Sequence, residues 1–95
     1  MATKDIAVDP LHEEFFVVAD SANAVDVYSL EANGTPVAKL RSITGSATAL
    51  NAPSGIVYNP EQDELLVSNG GDGKVLVFNR GDSGNVAPKR NVSLL

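Results

Sequence analysis

Slid along itself by fifty positions, the chain falls into register with its own second half. Ile6 lands on Ile56, Pro10 on Pro60, Glu14 on Glu64 and Val17 on Val67. Further along, Val25 lands on Val75, Val27 on Val77, Gly34 on Gly84 and Lys39 on Lys89. Conservative matches fill the gaps: Asp9 with Asn59, Phe15 and Phe16 with Leu65 and Leu66, and Tyr28 with Phe78. The matches sit in apolar runs and at turn residues, where one shared fold would put them. Self-similarity at this period marks an array of supersecondary units, and it constrains the fold before any single element is assigned. One-residue offsets are expected near Ala19-Asp20 against Ser68-Asn69 and near Arg41 against Arg90, as bulge or loop adjustments.

Each copy reads as four short strands, at about 5–8, 14–19, 24–29 and 37–43, then 55–58, 64–68, 74–78 and 88–93. Val, Ile, Phe, Tyr and Leu dominate these runs, as pleated, half-buried surfaces prefer. Alternation is clearest in Val25-Asp26-Val27-Tyr28 and Val75-Leu76-Val77-Phe78. Asp9-Pro10 and Asn59-Pro60 close the first strand of each copy, because Pro holds its predecessor extended and cannot donate to a ladder. Asn33-Gly34 and Gly84-Asn85 supply residues that tolerate positive φ between the third and fourth strands. Asn69-Gly70-Gly71-Asp72-Gly73 turns the second strand of the second copy into its third. No ten-residue segment carries a helical period. The class is therefore all-β. Four-stranded repeats of this length are the pattern of β-propeller blades, with blade 1 at 1–46 and blade 2 at 47–95. A plain eight-stranded sandwich or barrel is the competing architecture.

Composition narrows the function classes. The net charge is −5 and no Lys/Arg cluster occurs, so nothing neutralises phosphates and no nucleic-acid partner is expected. The same acidity disfavours anionic membranes. There is no cysteine among the 95 residues, which removes disulfides, thiol catalysis and thiolate-bound metals. No apolar run is long enough for a signal-peptide core or a membrane span, so the chain as written is expected to be soluble and cytoplasmic.

Pro53-Ser-Gly-Ile-Val-Tyr-Asn-Pro60, Glu64-Leu-Leu-Val-Ser-Asn69 and Lys74-Val-Leu-Val-Phe78 together resemble one blade of the NHL/YVTN-type β-propellers. Gly84-Asn-Val-Ala-Pro-Lys-Arg90 is similar to the fourth-strand motif of a related bacterial propeller group. The resemblance extends over nearly the whole chain. The first copy departs from it where Asp5 stands in place of Gly55 and where the Asn-Gly-Gly turn is missing. It implies a propeller and leaves function open, because such propellers include binding scaffolds, lyases and lactonase-like hydrolases.

Two blades do not close a ring, since propellers carry about four to eight. With Met1 just before the first inner strand and Leu95 just after the last outer one, the residues are expected to span two whole blades. Two explanations fit, a fragment of a longer propeller or self-assembly, and the expectation is head-to-tail homo-oligomerisation into a closed propeller. A trimer, giving the six blades common in NHL-type rings, is favoured over a tetramer giving eight. Leu94 and Leu95 would lie at the seam.

The candidate ligand-binding residues are Asp20, Asn69 and Asp72, on the side of the sheet reached by the links between second and third strands. Copies of these oxygens around a channel would suit a hard cation such as Ca²⁺, although no cofactor is expected. Their competing role is turn formation. His12, the only histidine, sits in the polar hairpin Leu11-His-Glu-Glu14 and reads as solvated. Glu13-Glu14 reads as a charged strand edge that blocks stray pairing. Ser54-Gly55 reads as a turn leading into a strand. Asn33-Gly-Thr35 and Asn91-Val-Ser93 match glycosylation sequons, with no export signal beside them. No nucleophile elbow or zinc-protease motif occurs and no catalytic residue is assigned. The leading expectation is a non-catalytic binding or scaffold module for an unidentified small molecule or protein. The alternative is a metal-dependent propeller hydrolase or lyase with its site in the central channel.

Overall fold

The computed structural model describes residues 3–19, 21–30 and 38–93. Eight strands follow in chain order: β1 (Asp5–Asp9), β2 (Glu14–Ala19), β3 (Ala24–Ser29), β4 (Lys39–Thr44), β5 (Pro53–Asn59), β6 (Glu64–Asn69), β7 (Lys74–Asn79) and β8 (Arg90–Ser93). The one helical element among the described residues is a 3₁₀ turn at Ser46–Thr48. The strands form two four-stranded sheets, ordered β1-β2-β3-β4 and β5-β6-β7-β8, with every neighbour antiparallel. The all-β class and the expected strand positions are what the structure has. Turn chemistry and alternation are local signals, and each strand here pairs with its sequence neighbour.

The strand ends moved for local reasons. β5 begins at Pro53, which pairs with Asn69, and a register shift then lets Ser54 bulge before Gly55 resumes the ladder. β8 begins at Arg90, after Pro88, which has no N–H to donate. The offset at Arg41 against Arg90 has a structural basis. Val27 pairs with Arg41 and Tyr28 with Lys39, so Leu40 is an extra residue, whereas Val77 pairs with Arg90 directly. The expected offset near Ala19 and Ser68-Asn69 is a correction. Val18 pairs with Asp5 and Ser68 with Gly55, so the separation of fifty persists to the end of β2 and β6. The Asn33-Gly34 turn, Asp20, Leu94 and Leu95 lie outside the described residues.

Alternation along the strands sends side chains to two faces of each sheet. On the first sheet Phe16, Val18, Val25, Val27 and Ile43 point one way, and all are fully buried. They meet Ile56, Leu65, Val67, Leu76 and Phe78 of the second sheet in a single core, closed at its margin by Leu50, Ala7, Tyr58 and Val86. β5 lies across β1 and β2. The two sheets do not meet through corresponding faces. Fifty positions after the buried Phe16 comes Leu66, and fifty before the buried Ile56 comes Ile6. Leu66 and Ile6 lie on the faces turned away from the core. The stacking is thus front to back.

Hydrogen bonds pin the joint between sheets along its perimeter. Ile56 N donates to Asp5 Oδ2 at 2.9 Å, beside β1. At the opposite edge Gly84 N donates to Ser42 O at 2.7 Å and Thr44 N to Gly84 O at 3.1 Å. Gly84 takes φ of 81°, a conformation glycine adopts without a Cβ penalty, as its turn position led one to expect. Ala47 N donates to Asn85 Oδ1 at 2.8 Å, and Ala52 N to Asn23 Oδ1 at 2.8 Å. The long link between the sheets is therefore anchored at both ends of its path.

Candidate functional site

Asn69 ends β6 with its side chain almost fully buried. Its Oδ1 accepts from Asn51 N at 3.0 Å and its Nδ2 donates to Ala49 O at 2.9 Å. Both polar atoms hold the link between sheets in place. Asp72 lies exposed in the next turn, where its Oδ1 accepts from Lys74 N at 3.1 Å. The Asp72 contact is the local bond by which Asp stabilises its own turn, whereas Asn69 reaches backbone 18 and 20 positions back. Asp20, the third sequence candidate, falls outside the described residues, so the geometry of the trio is that of Asn69 and Asp72 alone.

The polar cluster that the fold does assemble lies at the other end of the joint. Glu14, at the start of β2, is buried. Arg41 of β4 reaches it with two parallel hydrogen bonds, Nη1 to Oε2 at 2.9 Å and Nη2 to Oε1 at 2.7 Å. Arg80, from the turn after β7 on the second sheet, donates Nη1 to the same Oε1 at 3.2 Å. Its Nε donates to Asp63 Oδ1 at 2.8 Å and stands 3.7 Å from Asp9 Oδ2. Arg80 O in turn accepts from Arg41 Nη2 at 3.0 Å. Tyr58 completes the cluster by donating its hydroxyl to Asp63 Oδ1 at 2.8 Å. The expected role of Glu13-Glu14 as an exposed strand edge is corrected here. β2 is an interior strand, Glu14 is its buried end, and only Glu13 faces solvent, in a turn with φ of 56°.

Electrostatics follow from these contacts. Hydrogen bonds from Arg41, and then from Arg80, outweigh burial and hold the Glu14 carboxyl below its ordinary range. Burial works against ionisation of Asp63, but the Arg80 and Tyr58 hydrogen bonds win and lower it as well. Burial, then the bond to the Asp63 carboxylate, pushes the Tyr58 phenol up to about 12. Glu64 repeats the motif on the second sheet: Arg90 Nη2 lies 2.6 Å from its Oε1 and Lys89 Nζ 2.8 Å from its Oε2, and both lower its carboxyl.

Asp9, His12 and Asp63 offer ligand-type atoms within 4.8 Å of one another. His12, expected to be solvated, is partly exposed and places Nδ1 2.6 Å from Asp9 Oδ2. The donor set fits a guanidinium better than a metal ion. Arg80 already brings its positive charge to both carboxylates, and a second cation would have to enter against it. The cluster acts as an ion-paired clasp between sheets, in which Arg80 of the second sheet reaches Glu14 and Asp9 of the first. Its signal in the sequence was the recurrence of Glu14 and Arg41 as Glu64 and Arg90, charged residues repeated inside apolar strands.

An apolar depression lies on the outer face of the second sheet. A groove of about 280 Å³ is lined by Gly55, Val57, Leu66, Ser68 and Val75, with Asp5 and Ile56 at its rim. Val57 in its wall is 61% exposed. On the outer face of the first sheet Ile6 is 53% and Val8 49% exposed, beside the stacked rings of Phe15 and Tyr28, 5.3 Å apart. No helix among the described residues is long and apolar enough to cross a membrane. No protein-family model matches the chain, and no curated protein matches it in sequence.

Proposed function

We propose that the chain is a two-blade β-propeller unit of NHL/YVTN type that binds further copies of itself head to tail and so builds a non-catalytic binding or scaffold ring. One observation carries this reading: the two outer faces are the repeat counterparts of the two faces that make the core. Ile56 is 4% exposed and Ile6 53%, although they occupy the same place in the repeat. Apolar strand faces of this kind are normally covered in repeat proteins by a neighbouring unit. A front-to-back stack leaves one free face of each kind, which is the condition for a heterologous interface, and such an interface closes into a ring when the rotation per step divides the circle. A six-blade ring of three chains is the favoured closure and eight blades from four chains the next.

The binding role rests on the chemistry of the described polar residues. The clasp's carboxylates and guanidiniums are committed to one another, within each sheet through Arg41–Glu14 and Arg80–Asp63 and across the joint through Arg80–Glu14, which leaves a rigid ring with variable loops as the binding framework. Light scattering coupled to size exclusion tests the reading. A mass of three chains is expected. A single-chain mass at high micromolar concentration would refute self-assembly.

A further inference from the structure

We infer that the groove on the second sheet receives Ile6 of a second copy, and that this joint between copies is wired differently from the joint inside the chain. The inference rests on the self-assembly reading above and adds the residues that meet.

The internal joint supplies the template. There, Ile56 of β5 is buried against the face of the first sheet that carries Asp5, Ala7, Phe16 and Val18, and its N–H donates to Asp5 Oδ2. Moved on by fifty, Ile56 becomes Ile6, and that face becomes Gly55, Val57, Leu66 and Ser68. Those are four residues of the groove wall. Three of the four counterparts are smaller in the groove, Gly55 for Asp5, Leu66 for Phe16 and Ser68 for Val18, and one is larger, Val57 for Ala7. At about 280 Å³ with an apolar lining of Ile56, Val57, Leu66 and Val75, it suits inserted aliphatic side chains.

The wiring changes in two places, and each change has its compensation in the chain. Gly55 offers no carboxylate to an incoming backbone N–H. Ile6 does not require one, because its own N–H already donates to Asp5 Oδ1 at 2.9 Å. Arg80, which clasps Glu14 inside the chain, corresponds to Leu30. A second copy would therefore bring an apolar residue toward Glu64. Glu64 takes its second cation instead from Lys89 on its own sheet, 2.8 Å away. Each buried glutamate thus has two cationic partners: Glu14 has Arg41 on its own sheet and Arg80 across the joint, and Glu64 has Arg90 and Lys89, both on its own sheet. The contacts that distinguish the joints prevent the outer faces from arriving as exact substitutes for the inner ones, which gives the assembly a defined order.

Two variants test this, with wild type as control. Ser68→Leu fills the groove from a half-buried position and should weaken association at least tenfold while leaving the far-ultraviolet circular dichroism unchanged. The chain has no cysteine, so Ile6→Cys combined with Ser68→Cys can form a disulfide only through the introduced thiols. The strand registers put these positions on the outward faces of two stacked sheets, and sheets stack about 10 Å apart, more than a disulfide spans, so oxidation should yield covalent multimers on a non-reducing gel. A single-chain mass for the wild type would overturn the self-assembly reading itself. A multimeric wild type whose Ser68→Leu variant keeps the same mass, or whose cysteine pair stays uncrosslinked, would overturn the groove assignment and leave self-assembly standing.

Discussion

Ile6 and Ile56 make a controlled experiment within one chain, because the same side chain occupies the same repeat position in two environments. Truncation to Ala removes the same three carbons from each. At Ile56, 4% exposed in the core, those carbons are worth about 0.8 kcal/mol apiece in transfer free energy alone, or about 2.4 kcal/mol. The void left among Phe16, Val18 and Val67 adds a cavity cost, so Ile56→Ala should lose about 3 kcal/mol, within the roughly 2–5 kcal/mol of buried Ile and Leu truncations. That is a substantial part of the about 5–15 kcal/mol that holds a domain together. At Ile6, 53% exposed, half the surface is already in water and no enclosed void forms, so Ile6→Ala should lose about 1 kcal/mol or less. Urea denaturation at a concentration where sedimentation shows single chains measures both, since association would add stability of its own. Equal losses at the two positions would refute the reasoning that burial, and not repeat position, sets the cost. If copies associate through this face, the Ile6→Ala deficit should grow as protein concentration rises while the Ile56→Ala deficit persists at every concentration.

Acid should weaken the fold through the clasp. Glu14, Asp63 and Glu64 are all held below their ordinary pKa by cationic partners, so the unfolded chain binds protons more readily than the folded one. Their contribution is complete above the ordinary carboxylate range and drains away as pH falls from about 5 through the lowered values. The urea midpoint should drop between pH 6 and pH 3, with a shallower slope in Glu14→Gln; a level midpoint over that range would contradict the assignment. Asn69→Ala leaves Asn51 N and Ala49 O without partners and should cost about 1–3 kcal/mol. Hydrogen exchange at the Asn51 amide should accelerate in that variant, and unchanged protection there would show that Asn69 does not hold the link.

The strands were legible because their signals are local. Asp9-Pro10, Asn59-Pro60 and the Gly-rich turns mark where the chain reverses, and alternation does the rest. The bulge at Leu40 was visible as a slipped repeat register, although only pairing with Val27 and Tyr28 identified the extra residue. The clasp was misread for the opposite reason. Glu14 looks like a solvated edge residue until Arg41, 27 positions away, and Arg80, 66 positions away, are brought to it. Asn69 reads in the sequence as a ligand-binding candidate or a turn former, because its partners Asn51 and Ala49 belong to a link whose path no local rule specifies.

By itself, the sequence determined that two like units of four strands follow each other, because repetition, alternation and turn chemistry act within a few residues. Tertiary structure alone decided which faces of those units meet. The repeat makes the faces of the two sheets nearly equivalent in pattern, and alternation cannot say which apolar side turns inward. Front-to-back packing breaks that equivalence. It buries Ile56 and leaves Ile6 in solvent, and it turns a repeat of fifty residues into a core with two unmatched faces.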